Sequence, residues 1–544
     1  MQSYHSKPKL LTFNFALLII LIIGAFLRFY KLDFGQGFFT HPDEYHIVIS
    51  ASQLSFPTQM HPNFFSYGTV SIYLIYFTKE ILSLLNSIFN FEFLTFNFFL
   101  IGRFYSALFS TASIFLVFKI TSYFGSSKLS LLAALLTATT PGAVQQAHFA
   151  TPESTLIFCL LLCLFFLLKY YTKPTALSLI FSGISFGLAL GVKASSLVFI
   201  LAVLVCAILT HKNQILKLFQ FFLIFLISAF LTLLIVAPFI FLDFPAFLSN
   251  LQYEGSLARG VIPVFYTRQF IQTSGILFQL TDILPYALGP VLLTFGVLGF
   301  LLLLKESFKR SGLGLLILLS GFLSLFLFNS LLFAKWTRFI SPTFPFFAIF
   351  SSCFLVKYFP KKLLLIPIFL HLLWTVAFFS IYIQPDVRVQ AQDWLLLNLP
   401  KNSVVLVEGG NMVEVPTSGQ FTKISLDFYS LDTDPSARLK VALALAKSDY
   451  FIVQSRRVFS NHQRLPEMYP KTANFYDNLF EDKLGFVKVA QFDSYPTIPF
   501  LNIKIPDEQA EETWSVFDHP VIRVYQKNVK LSESFYVQSF NQQL

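Results

Sequence analysis

Charge is what this sequence has least of. Asp, Glu, Lys and Arg make up 12% of its 544 residues, about half the share of a soluble domain. That shortage excludes an ordinary water-soluble enzyme of this length. Cysteine is nearly absent too. The four present, Cys159, Cys163, Cys206 and Cys353, all lie inside apolar runs. None is placed for a disulfide or a zinc site, so they read as small core residues. The stretch after Gln384 has none, so it must fold without disulfides. A small-residue cleavage site is missing after the first apolar run, LLTFNFALLIILIIGAFLRFY, and further runs follow it. A secreted protein with a cleaved signal peptide is therefore not expected.

Apolar residues fill the gap: 55% of the chain, with 70 Phe. Most of residues 1–384 is built from runs of roughly 17–25 apolar residues, the length that crosses a bilayer as helix. Spans are expected at 11–29, 100–122, 129–148, 152–170, 176–192, 194–210, 217–240, 281–304, 312–333, 339–357 and 362–383. The stretch 67–89 is apolar but carries Lys79 and Glu80 in its middle. Each would cost roughly 2.5–3.5 kcal/mol at mid-membrane. It is therefore read as a juxtamembrane helix within a first outer loop of about 30–99. The fold class expected is a polytopic α-helical membrane protein of about eleven spans, twelve or thirteen at most.

The loops sort by charge. With the N-terminus inside, one side holds Lys7, Lys9, Lys119, Lys128, Lys169, Lys173, Lys212, Lys217, Lys305, Lys309, Arg310, Lys357, Lys361 and Lys362, with Glu306 as its acid. The other holds Asp33, Asp43, Glu44, Glu80, Glu92, Glu153, Asp243, Glu254 and Asp282. The positive-inside rule puts the second set outside. Residues 385–544 differ in character. They carry 16 basic and 19 acidic residues, net −3, which leaves +13 of the chain's +10 to the membrane part. RVQAQDWLLLNLP and SARLKVALALAK read as helices; SVVLVEGG, DYFIVQS, GFVKVAQF and VIRVYQK read as strands. A C-terminal α/β domain outside the membrane is expected.

Chemistry-bearing residues gather on the outer side. FFTHPDEYH places Asp43 and Glu44 just past the first span. A bland reading makes Pro42 a first-turn proline, Thr40 or His41 a cap, and the acids complements to the helix dipole. The run EYHIVISASQL after it reads as an amphipathic helix lying on the membrane. QQAHFATPESTLIF puts His148 and Glu153 at another outer turn, where Thr151 would cap. Basic residues Arg28, Lys31, Lys79, Arg103, Lys193, Arg259, Arg268, Lys335 and Arg338 run against the topological bias. Singly each could snorkel to the headgroups. Beside outer acids, several together fit an anion such as a phosphate. His41, His46 and His61 match no strong metal motif, though a carboxylate and a histidine could hold a divalent cation with a phosphate.

The blocks HPDEYHIVISASQL, HPNFFSYGTVSIYL, GRFYSALFSTASIFLVFKITSYFG, HFATPESTLIF, GISFGLALGVKASSLVF and RFISPTFPFFAIF occur in an order that resembles the GT-C membrane glycosyltransferases. The resemblance is to the glycosyltransferase family 39 or protein O-mannosyltransferase-like group of bacterial type. In the tail, SDYFIVQSRR, YPTIPF and EETWSVFDHPVIRVYQK are similar to the same group. The resemblance implies inverting transfer of a mannose-like or other hexose or pentose sugar from a polyprenyl-phosphate carrier to an acceptor hydroxyl. It implies Asp43 as catalytic base, Glu44 as its partner and Glu153 as a second acid. Arg103, Lys193 and Arg338 would hold the donor phosphate. His41, His61, Tyr67 and His148 are candidates for substrate or metal contact.

Physical chemistry agrees. An alcohol needs a base within hydrogen-bond reach, and a leaving phosphate needs neutralisation more than a proton. A displacement with a base and no carboxylate nucleophile inverts. No nucleotide-binding glycine loop is seen, which fits a lipid-linked donor. The acceptor could be a protein, a lipid or a glycan, and no nucleic-acid partner is expected. The site and C-terminal domain would face away from the cytoplasm, in the plasma membrane. The competing reading is a transporter or flippase of lipid-linked glycans, which would need charges along a mid-membrane path and repeats. Neither is evident. A sensor with a ligand-binding outer domain would leave the outer-loop carboxylates without a task.

Overall fold

Long apolar runs in a lipid solvent must satisfy their backbone groups internally, which only helices do within one segment. The computed structural model describes residues 7–89, 97–309, 312–410, 413–417 and 419–541; Glu92 and Arg310 lie outside them. Among the described residues, eight helices are long and apolar enough to cross a membrane: Thr69–Phe89, Phe98–Thr121, Glu153–Thr172, Ala194–His211, Ile215–Val236, Pro290–Ser307, Thr337–Tyr358 and Leu365–Ile383. Four shorter apolar helices accompany them: Phe15–Phe29, Ser127–Ala138, Ala176–Val192 and Leu315–Leu331. The four cysteines are free and buried.

Several expected spans are broken, and prolines or glycines mark the breaks. The run 129–148 is two helices, Ser127–Ala138 and Pro141–Ala147, separated at Thr139 and Thr140. Pro141 lacks the N–H that would continue the ladder. Arg28 fills the gap: its guanidinium donates to the carbonyls of Thr137 (3.1 Å) and Ala138 (2.7 Å) and to Ser110 Oγ (2.7 Å). It is fully buried rather than snorkelling. The run 281–304 is interrupted at Gly289, whose φ of 78° suits glycine, before Pro290–Ser307 begins. The run 339–357 starts earlier, with a short helix Thr337–Ile340 and one 3-10 turn before Phe344–Tyr358.

The helix Thr69–Phe89 meets the same length and composition measure as the spanning helices. Its contacts, however, run across helix ends. Gly68 N donates to Val192 O at the end of Ala176–Val192 (2.9 Å), and Thr69 Oγ1 donates to Val236 O at the end of Ile215–Val236 (2.5 Å). Thr78 meets Tyr105 near the start of Phe98–Thr121 (2.6 Å). The amphipathic helix Pro42–Ser52 does not lay its apolar face on lipid. Ile47 and Ala51 are fully buried in a cluster with Ile72, Ile75 and Ile101.

The chain divides into two compact units. One comprises residues 1–32, 42–262 and 272–379; the other comprises 33–41, 263–271 and 380–544. The second thus begins five residues before the expected boundary at 385 and includes two short earlier segments. Its strands are β1 (Val404–Gly409), β2 (Thr422–Asp427), β3 (Tyr450–Val453), β4 (Phe486–Phe492), β5 (Thr497–Ile498), β6 (Ile503–Lys504) and β7 (Ile522–Lys527). A five-stranded sheet has the order β2-β1-β3-β7-β4. β1 is parallel to β2 and β3, while β7 is antiparallel to β3 and β4.

Strand alternation sorts the core. Leu406, Phe451, Val453 and Tyr525 face the helices Pro435–Lys447 and Pro470–Phe480. Val405, Val407, Ile452 and Val524 face the helix Val387–Asn398. The four expected strands and both expected helices are present. The edge strand β2 and the helix Pro470–Phe480 are additions. This unit also buries a charged trio. His519 donates from Nε2 to Asp507 (2.9 Å) and from Nδ1 to Asp518, while Tyr382 donates to the other oxygen of Asp518 (3.0 Å). Burial alone would lower the imidazole, but Asp518 and Asp507 raise it to about 10.

Candidate active site

Pro42 opens the helix Pro42–Ser52, so Asp43 and Glu44 both fall in its first turn. Successive helical residues point about 100° apart, and the two carboxylates therefore reach different surroundings. Glu44 turns inward. Its oxygens accept Nε (2.6 Å) and Nη2 (3.2 Å) of Arg103 in a fork-to-fork pair, and Oε1 also accepts the Ala150 amide (3.2 Å). Burial raises the Glu44 carboxyl, while Arg103 and the Ala150 amide oppose that rise.

Asp43 turns the other way. One oxygen, Oδ2, accepts the Tyr67 hydroxyl (2.8 Å) and is ion-paired with Arg338. The side chains of Asp43 and Arg338 are 19% and 17% exposed, whereas Glu44 and Arg103 are fully buried. Only the first pair is therefore open to a substrate.

Tyr67 joins this pair to a third. Lys193 Nζ lies 5.5 Å from the Tyr67 ring centre and 4.5 Å from that of Phe339, next in sequence to Arg338. Lys193 donates to Glu153 Oε1 (3.1 Å). Glu153 is fully buried, and its Oε2 has no hydrogen-bond partner among the described residues. The placement has a backbone cause. Gly68 donates its N–H to Val192 O, and a Cβ on Gly68 would overlap the Gly191 carbonyl. Gly68 thus lets one backbone lie on another, and Tyr67 comes up against Lys193. The helix of Glu153 starts one residue later than expected. Pro152 occupies the cap position, and Thr151 makes no side-chain cap bond.

Of the residues expected at the site, Asp43, Tyr67, Lys193, Arg338 and Glu153 form one contiguous set. Arg103, expected at the donor phosphate, instead spends its donors on Glu44 and on the Leu32 carbonyl (2.6 Å). His148 is buried, with both ring nitrogens on backbone carbonyls, Val144 O (2.8 Å) and Tyr30 O (3.0 Å). His61 pairs with Asp243 (3.1 Å), and its Nδ1 accepts the Asn63 amide (3.0 Å). His41 belongs to the second unit, its ring 4.2 Å from that of Phe517. His46 stacks on Phe64. Trp336 and Phe339, which the sequence reading passed over, carry the Arg338 guanidinium over their rings at 5.2 and 5.7 Å.

Among the described residues, no three His, Cys, Asp or Glu side chains gather where they could hold a metal. Asp43 is ion-paired with Arg338.

Comparison with known proteins agrees with this architecture. Residues 81–241, which include Arg103, Glu153 and Lys193, match the family described as dolichyl-phosphate-mannose-protein mannosyltransferase. No curated protein sequence matches the chain significantly. Among solved structures, the apo oligosaccharyltransferase of Archaeoglobus fulgidus is similar at 15% identity and a TM-score of 0.51. That match covers 85% of this chain and 72% of the other. The oligosaccharyltransferase AglB of the same organism, in complex with an inhibitory peptide and a dolichol-phosphate, gives 14% identity and a TM-score of 0.48, over 86% and 73% of the two chains. ArnT from Cupriavidus metallidurans bound to undecaprenyl phosphate gives 13% and 0.44, over 95% and 98%. The chain is a multi-pass helical membrane protein that is similar over residues 81–241 to the dolichyl-phosphate-mannose-protein mannosyltransferases and in fold to the archaeal oligosaccharyltransferase.

Proposed function

We propose that the chain is an inverting glycosyltransferase. It moves a sugar from a polyprenyl-phosphate donor to an acceptor hydroxyl at the non-cytoplasmic face of the plasma membrane. The observation that carries the reading is the partly exposed Asp43 carboxylate paired with Arg338, with Lys193 over the ring of Tyr67, whose hydroxyl donates to Asp43. A base for the attacking hydroxyl and two cations for the leaving phosphate are what a one-step displacement requires. Glu44 and Arg103 act as positioning residues. Their buried pair and the Ala150 amide fix the first turn of Pro42–Ser52, and so the place of Asp43.

Dolichyl-phosphate-mannose, the donor of the family similar over residues 81–241, is a polyprenyl-phosphate sugar, and that segment holds Lys193 and Glu153. The lysines support the orientation. Lys169 sits at the far end of the helix that begins at Glu153, and Lys357 at the far end of the stretch Thr337–Tyr358 that begins beside Arg338, as the positive-inside rule requires of cytoplasmic ends. The sugar is a hexose or pentose, and the acceptor is a hydroxyl of a protein, lipid or glycan.

The test is transfer by the full chain in lipid nanodiscs. A panel of polyprenyl-phosphate sugars is offered with cell-envelope acceptors, for wild type and Asp43→Asn. Transfer by wild type and its loss in the variant support the reading. Wild-type rates in Asp43→Asn would remove the base assignment, and no transfer from any donor would remove the activity.

A further inference from the structure

The second unit carries an apolar tip that its own core does not use. β5 and β6 form a short antiparallel hairpin, with Ile498 opposite Ile503 and the turn closed by Leu501 N–H to Ile498 O (3.2 Å). Every residue from Pro499 to Lys504 is exposed. Phe500 is 97% exposed, Leu501 64% and Ile503 49%. The other large exposed apolar side chains of this unit, such as Leu397, Leu439 and Met468, are scattered singly along the sequence. Single exposures need no explanation, but a contiguous apolar tip does.

The base of the hairpin is tied to the end of a membrane-length helix. Thr497 N–H donates to Ser380 Oγ (3.0 Å). Ser380 is in the last turn of the helix Leu365–Ile383. That helix has 19 residues, so it is about 28 Å long at about 1.5 Å per residue, close to the roughly 30 Å of bilayer hydrocarbon. Its last turn therefore ends at the hydrocarbon boundary. The hairpin starts at that level and is held rigidly there. Ile505 N donates to Pro496 O (2.8 Å), Lys504 pairs with Asp493 (2.6 Å), and Ser494, Pro496 and Thr497 are buried. From Thr497 to Phe500 the strand reaches roughly 10 Å, the depth to which interfacial elements bury their apolar faces, roughly 5–10 Å.

We infer that the hairpin Thr497–Lys504 is a membrane-interface anchor whose tip, Phe500 and Leu501, sits among the lipids of the leaflet beside the end of Leu365–Ile383. The turn suits that place. Pro499 has no N–H to leave unsatisfied, and the remaining exposed amides meet the hydrated headgroup layer rather than hydrocarbon. The partner is the lipid surface itself.

The experiment uses the full chain in lipid nanodiscs, with a spin label on Phe500→Cys, on Leu501→Cys, or on Lys530→Cys as a control. All four native cysteines are buried, and the unsubstituted chain serves as the labelling blank. Collision with oxygen and with a water-soluble nickel chelate is then measured. The expected result is a several-fold higher oxygen-to-nickel ratio at 500 and 501 than at 530. Equal, water-like ratios at the three positions would overturn the anchor. So would dipolar broadening at 500 that disappears on dilution with unlabelled chain, which would make the occupant a second copy.

Discussion

Asp43 and Arg338, from opposite ends of the membrane part of the chain, meet at a single carboxylate oxygen that also accepts the Tyr67 hydroxyl. Replacing Asp43 by Asn keeps the shape and removes the base. Transfer is expected to fall by about 10²–10⁴, while binding of a polyprenyl-phosphate donor persists. Single-turnover transfer and donor binding, measured on the same preparation, check this.

Arg338→Ala removes a cation from the donor side and leaves the Tyr67 hydrogen bond to Asp43 in place. KM for the lipid-linked donor is expected to rise while KM for the acceptor stays near wild type. Equal losses for both substrates in steady-state assays would count against a phosphate contact.

The Glu44–Arg103 pair makes a different prediction. Glu44→Gln leaves the Arg103 guanidinium buried without its carboxylate, and breaking one side of such a pair costs about 3–5 kcal/mol. The expected result is a lower unfolding midpoint in detergent, together with a poorer yield of folded chain. An unchanged midpoint would show that the pair is not structural.

These contrasts bear on what could be read from residues alone. The acid pair was visible because proline followed by two acids is a recognisable helix start. Its division into an open Asp43 and a buried Glu44 was not, because it depends on what surrounds each face of the first turn. Arg103 and Arg338 look alike in sequence. Only packing shows that one is sealed on Glu44 and the other lies over Trp336 and Phe339. The apolar runs gave the helices, but the break at Thr139–Thr140 and the capping of Ala138 by Arg28 are tertiary facts. β2 escaped notice because it is an edge strand with a largely exposed, polar sequence, TKISLD.

A pH prediction concerns His519. In the unfolded chain its imidazole titrates near 6.5, and in the folded unit, between Asp507 and Asp518, at about 10. The folded form therefore holds the proton over a range where the unfolded form has lost it. Stability from this trio is fully present below about pH 6.5 and is lost as pH rises through about 10. The unfolding midpoint of wild type is expected to decline across that window. His519→Gln should start lower and decline less. Parallel curves for the two proteins would reject the linkage.

The contact of Gly68 with Gly191 supplies a last prediction. Gly68→Ala forces a methyl group into the Gly191 carbonyl, where backbone rather than a movable side chain must give way. Tyr67 and Lys193 are expected to part. Crosslinking yield between cysteines placed at 67 and 193 should drop, even in folded protein recovered at low temperature.

That contact also bears on how such chains vary. At 68 the usable alphabet has a single letter, because the contact is defined by the absence of a side chain there. A phenylalanine-rich lipid-facing helix accepts almost any apolar replacement, so most of the sequence can drift while the architecture stays. The exchangeable majority carries little memory of ancestry. Kinship among proteins built this way is therefore best sought at a single hydrogen atom, where nothing larger fits.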